Sequence, residues 1–232
     1  HVPGGVAKPY RMYYLAGGMN PGGKFWPYGR SVCFIESADG IEWTRPTLNL
    51  VEFNGSKANN IIANERMLFG ALDNFFVFYD ENPDCPADER FKGVANFEFK
   101  YNPDGSVKSE HCSYHGLECF VSSDGISFRP RGHLVREGLF DSLNVAFWHA
   151  PTCEYRLYFR SGHTNLSDRN GDTWVRDVRY TTSKDFTAWA QPRLLDFLPD
   201  ADGEPAVDYP LYTNGMMPYP RAPEVCIGLP TR

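Results

Sequence analysis

The side chains best placed for chemistry are carboxylates that stand where apolar strands end. Asp80 closes the run Phe75-Phe76-Val77-Phe78-Tyr79, and Asp141 follows Phe140 at the head of Ser142-Leu143-Asn144-Val145-Ala146-Phe147-Trp148. Ionised carboxylates at the ends of apolar strands carry a desolvation cost that a purely structural role seldom demands. The competing reading is an Asx turn, from Asp80 toward Asn82 and from Asp141 toward Asn144. Between the two acids lies Asp84-Cys85-Pro86-Ala87-Asp88-Glu89-Arg90-Phe91-Lys92, which sets Glu89 beside two cations. Arg90 and Lys92 share one strand face at period two, placed to hold a carboxylate ionised or to grip a substrate oxygen. Glu224, in Pro218-Tyr219-Pro220-Arg221-Ala222-Pro223-Glu224, is a fourth acid beside a cation.

Two or three carboxylates around one aromatic-lined pocket suit glycoside cleavage. One protonates the leaving oxygen, a second activates water or attacks carbon, and their environments separate the two pKa values. Trp26, Phe147, Trp148 and Tyr219 are candidate platforms for sugar rings, and Asn144 and Arg160 complete the expected binding set. Most aromatics here alternate along strands and read as core. Other chemistries lack their residues. There is no Gly-rich phosphate loop, HExxH or nucleophile elbow. The histidines, His111 and His115 included, have no zinc-ligand spacing, so no metal site is expected. An acidic axial pocket is compatible with a Ca²⁺ held by oxygen ligands, and no other cofactor is implied. Glu118 and Glu154, at strand starts, are expected to be exposed.

The elements that must position these residues repeat. Ser37-Ala38-Asp39-Gly40-Ile41-Glu42-Trp43 returns as Ser123-Asp124-Gly125-Ile126-Ser127-Phe128 and, loosened, as Ser183-Lys184-Asp185-Phe186-Thr187-Ala188-Trp189. Each copy follows an apolar strand and precedes a proline, which reads as a repeated hairpin. Asp39, Asp124 and Asp185 are therefore assigned to turns and excluded from catalysis. Tyr155-Arg156-Leu157-Tyr158-Phe159-Arg160 alternates as a half-buried strand, with Arg11-Met12-Tyr13-Tyr14-Leu15 as its first-unit counterpart.

With 17 Phe, 13 Tyr, 5 Trp, 21 Gly and 18 Pro in 232 residues, the composition is that of an all-β protein rather than a helical bundle. Repeated antiparallel units point to one β-propeller domain over residues 1–232, with four-stranded blades in units of roughly 10–50, 70–132, 139–195 and 208–232. The first unit begins at its second strand and the last has only its first strand or two. About three and a half blades result, fewer than the ~4 of a small ring. The chain is expected to be a fragment of a longer propeller; the alternatives are a tight ring with short outer blades and an assembly completed by a second chain. A formal charge of −6 argues against a nucleic-acid partner, and no apolar run is long enough for a membrane helix. Cys33, Cys119 and Cys226 sit in apolar runs as core residues, while Cys112 and Cys119 are spaced to bridge a loop to a strand. His1 opens a stretch with no initiator Met and no signal-peptide pattern, so a targeting segment has been removed or the chain is an excerpt.

The SADGIEW and SSDGISF turns, DENPDCPADERFK, FDSLNVAFW with YRLYFRSG, TTSKDFTAW and PYPRAPEVCIGLPTR together resemble the five-bladed β-propeller glycoside hydrolases of families 32, 43 and their relatives. The resemblance implies a hydrolase acting on poly- or oligosaccharide, usually exported to the extracellular space or periplasm, with three acids around the axis. In such enzymes the first blade gives an Asp, the next an Asp that fixes the transition state, and a later blade a Glu acid. By that pattern Asp80 is similar to the second-blade carboxylate and Asp141 to a third-blade one. Glu224 is a candidate acid with Glu89 as its competitor, and Arg90 and Arg221 would orient substrate or carboxylate. The alternatives are a non-catalytic carbohydrate-binding propeller and a protein-interaction propeller.

Overall fold

The computed structural model describes residues 1–17, 30–65, 67, 72–96, 116–164, 174–195 and 211–231. Trp26, His111, Cys112 and His115 lie outside them. The fold is all-β, with three four-stranded antiparallel sheets and a two-stranded one in a partial, propeller-like arrangement. Among the described residues, no helix is long and apolar enough to cross a membrane.

The second and third sheets are complete blades. One runs β5 (Asp73–Tyr79), β6 (Phe91–Asn96), β7 (Leu117–Ser122), β8 (Arg129–Val135), each strand paired with the next. The other runs β9 (Val145–His149), β10 (Glu154–Thr164), β11 (Trp174–Ser183), β12 (Arg193–Leu194) in the same order. The first sheet starts at the equivalent of the second strand. Its β1 (Tyr10–Ala16) pairs β2 (Ser31–Ser37), and the far side of β2 is shared by β3 (Trp43–Thr44) and β4 (Ile61–Asn64). This unit reaches Asn64 rather than residue 50. Its outer strand β3 is only two residues long, Pro46 cannot donate to a ladder, and the chain makes an excursion before β4 completes the edge. The last sheet is the hairpin of β13 (Met217–Tyr219) and β14 (Ala222–Ile227).

The repeated hairpin is built alike three times. The Ser37 hydroxyl donates to Asp39 Oδ1 at 2.9 Å, and that oxygen accepts the N–H groups of Ile41 and Glu42 at 2.8 and 2.9 Å. Asp124 accepts from Ser122, Ile126 and Ser127, and Asp185 from Ser183, Thr187 and Ala188, in the same way. The residue after each Asp has positive φ: Gly40 at 79°, Gly125 at 72° and Phe186 at 60°. Glycine adopts that backbone freely, whereas Phe186 is held there by burial against Phe78, Tyr155 and Trp189.

The sheets pack face to face and each interface is a core. Val32, Phe34, Ile62 and Ala63 of the first meet Phe75, Ala95 and Phe120 of the second. Val94, Leu117, Cys119 and Val121 of the second meet Ala146, Leu157, Phe159 and Phe186 of the third. Val145, Phe147, Tyr158 and Val178 meet Leu211, Met216 and Cys226 of the last unit. Cys33 and Cys119 are buried free thiols and Cys226 is half-buried. Cys119 is thus a core thiol, and the bridge that its spacing from Cys112 left open is not formed. Phe147, expected as a platform, is core.

Candidate functional site

Asp80 leaves the end of β5 into the hairpin that leads to β6, and its side chain is fully buried. Lys92 Nζ, on β6, stands 2.7 Å from Asp80 Oδ2, and the Tyr155 hydroxyl donates to the same oxygen at 2.8 Å. Asp80 Oδ1 accepts the Asn82 N–H at 2.9 Å, which is the Asx turn. Lys92 also donates to Cys85 Sγ at 3.2 Å and to the Glu89 carbonyl at 3.1 Å, so its three N–H groups are spent. Burial and the Asp80 carboxylate push the Tyr155 phenol up and the Cys85 thiol up to about 11. Both stay protonated at neutral pH. This is a closed, satisfied network with no spare acceptor on Asp80 aimed at a substrate.

The neighbouring candidates serve the same network. Arg90 was expected beside Lys92 on one face; instead its guanidinium donates to the Asp80, Asn82 and Pro83 carbonyls at 3.1, 2.8 and 3.5 Å, clamping the hairpin backbone. Glu89 ends a single 3₁₀ turn, Ala87–Glu89, and is held by Arg131 at 2.9 Å and Arg129 at 3.5 Å from β8. Lys92 and Glu89, with Arg131, Trp148, Tyr155 and Lys184, line a cavity of about 410 Å³ between the second and third blades. Trp148 is half-buried there, edge-on to Tyr155. Glu118, expected to be exposed, is buried against His133, and that burial raises its pKa.

Asp141 stands at the opposite end of the blades. It lies in the connection that leads into β9, whereas Asp80 lies after β5. Tyr79 pairs with Phe91 on β6 as Trp148 pairs with Tyr155 on β10, so the third-blade equivalent of Asp80 is the buried His149, not Asp141. Strand β10 measures the separation, because Tyr155 bonds Asp80 and Arg160 pairs with Asp141. Five residues at ~3.3 Å each put those anchor points about 17 Å apart, beyond the ~5–9.5 Å of a glycosidase pair. The expected partnership of Asp80 and Asp141 is not formed. Glu224 lies on β14, just after the turn of the β13–β14 hairpin that is the counterpart of the one holding Asp80, and is exposed with Tyr219 and Arg221. Three of the four candidate acids thus share the hairpin end of the blades, and Asp141 alone occupies the other.

At that other end the chain builds an open array. Asn144 is buried and donates to the Phe140 and Ser142 carbonyls at 2.9 and 2.8 Å, folding the connection so that the Asp141 side chain projects outward, 54% exposed. Arg160, 7% exposed, reaches Asp141 while its Nε donates to the Leu139 carbonyl at 2.9 Å. Its guanidinium lies 5.2 Å from the Tyr212 ring centre; that of Arg176 lies 5.5 Å from the same ring and 5.8 Å from Trp174. Gly162 on β10 makes room for Trp174, since a Cβ there would fall 2.1 Å from the indole. Trp174 and Tyr212 are 43% and 38% exposed. The result is a ladder in which aromatic rings alternate with guanidinium groups and which ends on a carboxylate. Sequence reasoning found Asp141, Asn144 and Arg160 here but not Trp174, Arg176 or Tyr212. The alternation of Trp174 and Arg176 on one strand face was the available signal.

No family model matches this sequence, and no curated protein matches it significantly. Among solved structures the chain is similar to an N-acetylgalactosamine deacetylase from F. plautii in complex with blood group B trisaccharide, at 12% identity and a TM-score of 0.49. The match covers 94% of this chain and 58% of that one, so the chain spans little more than half of that structure's length. A likeness of this degree assigns no activity.

Proposed function

We propose that this chain is the carbohydrate-binding part of a propeller and that it engages poly- or oligosaccharide at the Asp141 end. The observation that carries this reading is the ladder Trp174, Arg176, Tyr212, Arg160, Asp141, with both rings exposed. The parts of the two rings left in solvent between the guanidinium groups offer apolar surface against which the C–H groups of a sugar pack. The guanidinium of a buried arginine and the carboxylate it orients offer charge-assisted hydrogen bonds to hydroxyls. Any glycosidic cleavage uses Asp141 as the axial carboxylate and needs a second acid at that end, not Asp80.

The test is a glycan panel followed by calorimetry, with product analysis for hydrolysis. Trp174→Ala, Tyr212→Ala and Asp141→Asn are each expected to weaken binding by about tenfold or more, the loss of ~1.4 kcal/mol. Binding that survives all three variants moves the ligand elsewhere. A panel with no binder leaves the protein-interaction reading in its place.

A further inference from the structure

The ladder at the Asp141 end carries more positive than negative charge. Its face of the third blade is built from Arg160 and Gly162 on β10 and from Trp174, Arg176 and Val178 on β11, because Gly162 pairs Arg176 and Arg160 pairs Val178. Asp177, His163 and Arg179 alternate onto the opposite face and answer one another there. His163 Nδ1 lies 2.9 Å from Asp177 Oδ2, and Arg179 Nε 3.3 Å from Asp177 Oδ1. On the ladder face Asp141 answers Arg160. Arg176 is exposed, and among the described residues its guanidinium meets no carboxylate and no hydrogen-bond acceptor. It meets only the rings of Trp174 and Tyr212, 5.8 and 5.5 Å from their centres. Ring faces attract its charge but leave its N–H groups to water. One cation is left over, between two aromatic surfaces.

We infer, resting on the reading that saccharide binds this ladder, that the ligand carries a single carboxylate: one hexuronate in an otherwise neutral oligosaccharide, seated on Arg176. A hexuronate presents C–H groups on its ring faces and a planar carboxylate at its ring edge. One such residue can pack against Trp174 or Tyr212 while both carboxylate oxygens take N–H bonds from the guanidinium fork. Hydroxyls of the next residue then face Arg160 and Asp141. A second carboxylate in that place would meet the Asp141 charge, which Arg160 alone offsets, so a uniformly charged polyuronate is disfavoured. The formal charge of −6 over the whole chain adds to that repulsion.

The probes are neutral oligosaccharides bearing one glucuronate or one galacturonate, each beside its carboxyl methyl ester, titrated into the full chain by calorimetry. The acid form is expected to bind about tenfold tighter than the ester, by a margin that shrinks as salt rises. Arg176→Gln is expected to erase that margin, and Arg176→Lys to keep part of it, since the charge stays and the fork is lost. Asp141→Asn is expected to weaken both forms and keep the margin. Thermal unfolding checks that the three variants fold. Acid and ester that bind alike overturn the inference and leave the sugar-binding reading standing. A margin that survives Arg176→Gln overturns it as well. So does a sulfated neutral oligosaccharide or a fully charged oligogalacturonate that outbinds the single uronate. A panel in which neither acid nor ester binds overturns both readings.

Discussion

Asp80 and Asp141 look alike in sequence, each an acid directly after an aromatic residue, and the fold treats them in opposite ways. Asp80 is withdrawn from water and spends its oxygens on Lys92, Tyr155 and the Asn82 N–H. Asp141 stays half in solvent, and it is the partner, Arg160, that is buried. A buried carboxylate kept charged by a buried cation is a structural element, since any ligand would have to displace bonds already made in a low dielectric. A carboxylate in water that is steered by a buried arginine is preorganised without being consumed. The desolvation argument that marked both acids as functional holds only where the charge is left unsatisfied.

The largest effect expected from this contrast is at Lys92. Lys92→Met leaves Asp80 buried without its cation, and loss of one member of a buried pair costs about 3–5 kcal/mol. Asp80→Asn is expected to destabilise in the same way, and the double variant Asp80→Asn/Lys92→Met less than the sum, read by urea unfolding as a coupling of ~1 kcal/mol or more. Single variants that lose less than ~1 kcal/mol would remove the pair from the foundations of the hairpin end.

Phe186 and the turn glycines sharpen the contrast at the same end. Phe186→Gly relieves a positive-φ backbone worth about 1 kcal/mol but empties a core position worth ~3–5, so a net loss of ~2–4 kcal/mol is expected. Gly125→Ala and Gly40→Ala strain the backbone equally, yet only a Cβ at Gly125 meets Arg11, Tyr13 and Phe91, at 2.6–2.8 Å. A loss of ~2–3 kcal/mol is expected at Gly125 and ~1 at Gly40. Equal losses would mean that the first blade does not seat on the turn of the second.

Much of this architecture is legible in the sequence because it rests on local chemistry. The Ser-x-Asp-Gly turn makes its own hydrogen bonds, and strand alternation reports burial, so the hairpins, the all-β class and the four-stranded antiparallel units follow directly. The site is legible only in part. Pairing Asp80 with Asp141 aligned acids, whereas the ladder aligns Tyr79 with Trp148. Lys92 reads in the sequence as a strand cation placed to hold a carboxylate or a substrate oxygen, and which one is not legible because its partners, Asp80 just after β5 and Tyr155 a blade away, are not local.

Acid is expected to weaken the fold through the three turn carboxylates. Asp39 is held below the usual carboxylate range by the N–H groups of Ile41 and Glu42, and Asp185 by those of Ala188 and Thr187. Burial opposes the shift at Asp124, but the Ser127 and Ile126 N–H groups prevail. A lowered folded pKa contributes stability that is present above the unfolded value near ~4 and is lost as pH falls through the folded one. Thermal stability is therefore expected to fall below about pH 4, and Asp39→Asn to flatten that slope. A profile unchanged by the variant would assign the acid sensitivity to other carboxylates.

The smallest effect on stability is expected at Asp141. Asn at this position keeps an oxygen for Arg160, which also retains the Leu139 carbonyl and the Tyr212 ring, so the buried guanidinium is not orphaned. The ion pair it loses is half in water, where such pairs contribute ~0–1 kcal/mol. Asp141→Asn should thus unfold within ~0.5–1 kcal/mol of the parent while sugar binding falls, whereas Asp80→Asn should lower stability by several-fold more. An Asp141→Asn loss as large as that of Lys92→Met would make the two ends physically alike and return Asp141 to the scaffold.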